Sequence, residues 1–221
     1  MMLTFFADYV YDFILLLSCV VAFWRYKKLD KASKIIVWLL AVSCISESVA
    51  YYFAFTFHNN YPVYNIYSCF ELLIICLYFN KSIDVFRRTN VGLYIGIAGF
   101  LFGLADLFFI EKGSFYRGYA VFILVENIII ISLCLFALAR MSLNREIRLV
   151  KQAHFWFAVI FVFFYCLSFF NHYVYDYFAF IDKNQPAETF VIIENLFANI
   201  FTYIAFIVVF LLIPKLQMTH E

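Results

Sequence analysis

The chain has 221 residues, 66% of them hydrophobic and only 14% charged, with a mean hydropathy of +0.89. That balance excludes an ordinary soluble domain, in which about a quarter of the residues carry charge. The formal net charge of +1 says nothing about nucleic acid by itself, and with no basic patch interleaved for it no nucleic-acid partner is expected.

A membrane-spanning helix needs about 20 predominantly apolar residues. Seven runs meet that length, over residues 5–24, 35–57, 62–80, 91–110, 119–139, 154–174 and 188–213. They predict an all-α polytopic protein in which residues 1–221 form one seven-helix transmembrane domain, with short connections and no soluble module at either end. The first run lacks the basic n-region and small-residue cleavage site of a secretory signal, so it reads as a retained span. Pro62 and Pro186 suit the starts of the third and seventh spans, where a missing N–H costs nothing, and Pro214 suits the end of the last. Cys19, Cys44, Cys69, Cys76, Cys134 and Cys166 all fall inside apolar runs with no CxxC pair, and read as small packing residues.

Basic residues set the expected orientation. Arg25, Lys27, Lys28, Lys31, Lys34, Lys81, Arg87, Arg88, Arg140, Arg145, Arg148, Lys151 and Lys215 flank one side of the spans; Lys112, Arg117 and Lys183 flank the other. The positive-inside rule then puts the N-terminus outside and the C-terminus in the cytoplasm. All 16 Lys and Arg lie between or beyond the spans, so none is available within them. Tyrosines such as Tyr51, Tyr52, Tyr61, Tyr64, Tyr67, Tyr173 and Tyr175 gather toward the outer ends, where a ring can be buried while its hydroxyl stays wet. Trp24, Arg25 and Tyr26 read as the inner anchor. Spans one to three and five to seven could be parallel repeats about the fourth, aligning Asp12 with Glu126 and Glu71 with Glu194.

Six acids interrupt the apolar runs: Asp12, Glu47, Glu71, Asp106, Glu126 and Glu194. By residue count, with this orientation, all lie toward the outer half of the bilayer, Glu47 near its middle. A carboxylate at a helix centre costs about 2.5–3.5 kcal/mol to insert. Six left ionised in lipid would cost on the order of 15–20 kcal/mol, more than the net stability of a typical domain. They are therefore expected to face the bundle interior and to be protonated, hydrogen-bonded or matched by a bound cation. Glu71, Glu126 and Glu194 lead the candidates, with Glu47, Asn127, Asn195, Asn199 and His172 as polar neighbours and Tyr64 and Tyr67 as faces for a cation. Asp12 and Asp106 sit nearer the span ends and could simply be wet.

This pattern leads to a small transporter, with an outward-facing acidic cavity for a cation, a proton or a cationic solute. A receptor or accessory subunit, sensing an external ligand and signalling through a membrane or cytoplasmic partner, is the alternative. An interhelical polar network that fixes packing would use the same residues. Metal hydrolysis finds little support, since no HExxH or HxxxH pattern occurs and His58, His172 and the acids are the only outward ligands. No phosphate-binding loop is present. The last span has no lysine, which excludes a retinal Schiff base, and no cofactor is implied. Finally, RYKKLDKASK after the first span, ISESVAYYF in the second and NIYSCFELL in the third resemble a family of small seven-span bacterial inner-membrane proteins. The resemblance covers the first three spans and implies a location, with no activity attached.

Overall fold

An apolar run in lipid has no water to take its backbone N–H and C=O groups, so it must close its hydrogen bonds within itself. The computed structural model describes residues 2–110, 121–143, 149–176 and 185–213. Among the described residues, seven helices are long and apolar enough to cross a membrane. In chain order the elements are α1 (Met2–Arg25), α2 (Lys31–Phe57), α3 (Tyr61–Ser82), α4 (Asp84–Thr89) and α5 (Val91–Ala105). There follow α6 (Val121–Leu143), α7 (Ala153–Asp176) and α8 (Gln185–Leu212).

The boundaries differ from the apolar runs where local chemistry decides them. Helix α2 starts about a turn early because Asp30 caps it, its carboxylate accepting from the N–H of Ala32 at 3.0 Å and of Ser33 at 3.3 Å. It ends at His58, whose φ of 55° is left-handed. Pro62 falls in the first turn of α3 and Pro186 in that of α8, as the missing N–H favours; Pro214 lies outside the described residues. The short polar α4 was not signalled by any apolar run. Its Arg87–Asp84 pair, at 2.8 Å, is exposed, and Asn90 (φ 55°) then turns the chain into α5. At the predicted inner anchor the Arg25 guanidinium stacks over Trp24 at 4.4 Å, and Lys34 lies 5.3 Å from the Tyr26 ring centre.

The chain divides into two compact units, Tyr26–Leu133 and Met1–Arg25 with Cys134–Glu221. In the central unit, Tyr26–Leu133, α3 packs against both α2 and α5. The α3–α5 seam is set by four buried glycines, Gly92, Gly96, Gly99 and Gly103, which lie along one face of α5. A Cβ at Gly92 would stand 2.8 Å from Asn80 Cβ and 2.9 Å from the Cys76 carbonyl oxygen. One at Gly96 would meet Cys76 Cβ at 2.8 Å, one at Gly99 would meet Leu72 Cδ2 at 2.5 Å, and one at Gly103 would meet Cys69 Sγ at 2.7 Å. Small residues let two helix backbones approach in a medium where no hydrophobic force drives them together. Cys69 and Cys76 are the matching small residues on α3, both free thiols.

In the unit formed by the two chain ends, α8 packs against α1 and α7. Its buried residues Val191, Ala198, Thr202, Phe206, Val209 and Phe210 recur at helical spacing and form one face. Phe157 of α7 stacks against Phe206 and Phe210 with ring centres 6.1 and 5.4 Å apart, and Phe161 meets Phe206 edge-on at 5.7 Å. Leu15, Ser18, Cys19 and Ala22 form the buried stripe of α1. The Ser18 hydroxyl is satisfied within its own helix, donating to the Leu15 carbonyl at 2.7 Å.

Candidate functional site

The polar groups of the central unit follow from the register of its helices. Helices α2 and α3 run antiparallel, bringing Ser43 opposite Tyr67 and Glu47 opposite Tyr64. The Tyr64 hydroxyl donates to Glu47 Oε2 at 2.9 Å. One turn further along α3, the Tyr67 hydroxyl lies 2.6 Å from Ser43 Oγ and 3.2 Å from Glu71 Oε1. Ser43 Oγ is also 3.0 Å from the Leu39 carbonyl oxygen of its own helix. Tyr67 and Glu71 share a helical face because they are four residues apart.

Helix α6 enters this level through Asp106. At the end of α5 the helix widens into a π turn over Asp106–Ile110. Asp106 is only 1% exposed, and its Oδ2 accepts from the N–H of Phe122 at 3.0 Å. A carboxylate beside the first N–H groups of a helix satisfies an orphan donor and meets the positive end of the helix dipole. Phe122 lies against Gly103 and the Phe102 ring. Glu126 follows one turn further along α6. Glu126 is 3% exposed; it is hydrogen-bonded to the Ser68 hydroxyl and has Glu71 as its charged neighbour. Its Oε1 has no hydrogen-bond partner, and neither does Nδ2 of the adjacent buried Asn127. Glu126 and Asp106 are both close enough to Cys69 to act on it electrostatically.

Of the sequence-derived candidates, Glu47, Glu71, Glu126, Asn127, Tyr64 and Tyr67 therefore belong to the central unit. Glu47, Glu71, Tyr64 and Tyr67 have direct hydrogen bonds there, and Glu71 is within electrostatic reach of Glu126. Tyr64 and Tyr67 use their hydroxyls toward carboxylates. Glu194, Asn195 and Asn199 belong to the other unit. There Glu194 is half-buried and Asn195 exposed, and the Asn199 amide donates to the Asn195 carbonyl of its own helix at 2.9 Å. The α7–α8 ring contacts place Asn171 level with Glu194 and Asn195; Asn171 is buried with neither amide atom partnered. The side chain of His172 lies outside the described residues.

No known protein family, curated protein or solved structure matches this chain. The site thus stands on its own chemistry. Among the described residues no three His, Cys, Asp or Glu side chains are grouped as metal ligands. Two features escaped the sequence reading. The capping role of Asp106 corrects the expectation that it is wet, because the residue it caps is 16 positions away and only the α5–α6 packing brings them together. The glycine stripe was legible as small residues at positions 92, 96, 99 and 103, a helical spacing, and was missed because glycine is scarce overall.

Proposed function

We propose that the protein is a small carrier that binds a proton, a cation or a cationic solute at the carboxyls of the central unit. In this reading it resides in a bacterial cytoplasmic membrane with its N-terminus outside. The distribution of Lys and Arg supports the orientation, and the seven apolar helices support a multi-pass membrane protein. The single observation that carries the function is that buried Glu126 has the Glu71 carboxyl within electrostatic reach, at a level of the apolar runs that holds no Lys or Arg. Glu126 is 3% exposed, and an ionised carboxyl is costly to hold away from water, which supports uptake of a proton or a cation at this level. Glu47 and Tyr64, about 10 Å along α3 from Glu71, extend the polar column. Asn127, buried beside Glu126, would orient the guest.

The test is flux. Purified protein in liposomes should dissipate an imposed pH or cation gradient, and Glu71→Gln and Glu126→Gln should each reduce that flux at least tenfold while leaving insertion intact. Saturable ligand binding without flux would instead support a receptor coupled to a partner protein. Stoichiometric metal in elemental analysis would support a membrane-embedded enzyme.

A further inference from the structure

Helix register gathers cations of the central unit at one end of its spans. Because Ser43 lies opposite Tyr67 and Glu47 opposite Tyr64, the first turn of α2 stands beside the last turn of α3. The start of α5 is there too: Gly92 packs on Asn80, whose amide donates to Asn90 Oδ1 at 3.4 Å. Two connecting segments, residues 26–34 and 81–90, therefore share this end. Together they carry seven Lys and Arg against two acids, Asp30 and Asp84, and both acids are engaged within the chain. Asp30 accepts from the N–H groups of Ala32 and Ser33, and Asp84 pairs with Arg87 at 2.8 Å. Lys27, Lys28, Lys81 and Arg88 are exposed, and among the described residues none of these four is in an ion pair.

Folded turns hold these cations. A 3-10 turn over Tyr26–Lys28 carries the first two, and the Leu29 N–H closes it by donating to the Tyr26 carbonyl at 3.3 Å. Leu29 is buried, and the Lys34 ammonium lies 5.3 Å from the Tyr26 ring centre. On the other segment, buried Ile83 anchors the step from α3 into α4, where Val85 is exposed alongside Arg87 and Arg88. An exposed apolar residue beside basic ones suits a helix lying in the headgroup layer. Cations at the ends of apolar spans stand at the depth of the lipid phosphates, and a fixed array loses less freedom on binding than a flexible tail. We infer that this end of the central unit, through Lys27, Lys28, Lys81 and Arg88, is a docking surface for the phosphate headgroup of an anionic phospholipid. The lipid contact is independent of what the carboxyls bind.

Trp38 can report on this surface, since it is exposed on α2 and lies two turns from Lys31 on the same face. The full chain, with Trp24→Phe and Trp156→Phe to leave Trp38 as its sole tryptophan, is reconstituted in phosphatidylcholine vesicles. These contain equal amounts of brominated phosphatidylglycerol or brominated phosphatidylcholine as quencher. Quenching of Trp38 should favour the anionic lipid at least about fivefold, the value of a single cation near an anionic surface. Salt at about 1 M, where the screening length is about 3 Å, should remove most of that preference without any substitution at the surface. Lys27→Gln with Lys28→Gln, and Lys81→Gln with Arg88→Gln, should each reduce it, and the fourfold variant should bring the ratio near one. Arg140→Gln with Lys151→Gln, at exposed cations of the other unit, should leave it unchanged. A ratio near one with the surface intact, a preference that survives the fourfold variant, or an equal loss in the Arg140 and Lys151 control would overturn the inference. Loss of the preference with inorganic phosphate, beyond that with chloride of the same ionic strength, would assign the surface to a free anion and overturn the lipid.

Discussion

Asp106 lies at the end of its span by residue count, yet it is buried, because it closes the first turn of α6. Its two oxygens have different fates: Oδ2 takes the Phe122 N–H, while Oδ1 has no partner. Asp106→Ala should therefore cost about 1 kcal/mol through loss of the cap. Asp106→Asn, which keeps an acceptor oxygen, should cost clearly less. Unfolding in denaturing detergent, followed by circular dichroism, would rank the two; equal losses would show that the cap contributes nothing. Glu126 shows the opposite case at the same scale. The sequence flags it as an acid in an apolar run, and the fold gives it one hydroxyl partner and one open oxygen. Asn199 was expected to orient a ligand, but its amide is engaged with its own helix backbone, a local option open to any asparagine in a helix.

Between elements, the closest packing in the central unit is the α3–α5 seam, and the four glycines are not equivalent there. An alanine at Gly92 would press on the Cys76 carbonyl oxygen and Asn80 Cα, which are backbone and can move only with the helix. An alanine at Gly99 would meet Leu72 Cδ2, the far end of a flexible side chain. Overpacking of this kind costs about 1–3 kcal/mol. Gly92→Ala should fall at the upper end of that range and Gly99→Ala at the lower, measured by the same unfolding assay. Leu72→Ala should partly rescue Gly99→Ala and leave Gly92→Ala unchanged, since only the first pair is in contact. The seam also bears on the acids. It fixes the level of α5, the π turn at its end fixes Asp106, and Asp106 fixes where α6 begins and thus where Glu126 stands.

For the whole molecule, seven apolar helices describe a multi-pass membrane protein. Orientation follows from the proposal of a cytoplasmic C-terminus. A reporter fused after Glu221 that is active only in the cytoplasm should be active, and one that is active only outside should be silent; the reverse result would invert the topology and turn the acidic half of the bundle inward. Because Glu71 and Glu126 lie in one unit and Glu194 in the other, flux lost on Glu71→Gln but retained on Glu194→Gln would assign transport to Tyr26–Leu133.

Length, composition and the spacing of charges were enough to determine the class of molecule, the number of spans and the residues at which apolar continuity breaks. They suffice because the bilayer imposes one solution on every long apolar run: a helix with its backbone bonds closed internally. Which acids meet was decided only by tertiary structure. Pairing Glu71 with Glu126, or Ser43 with Tyr67, depends on the register between helices. That register is set by close contacts, such as glycine against cysteine, between residues distant in the chain. Whether a carboxyl ends as a helix cap, as Asp106 does, or as an open acceptor, as Glu126 does, depends on which donor the packing brings within 3 Å, a distance that linear spacing does not encode.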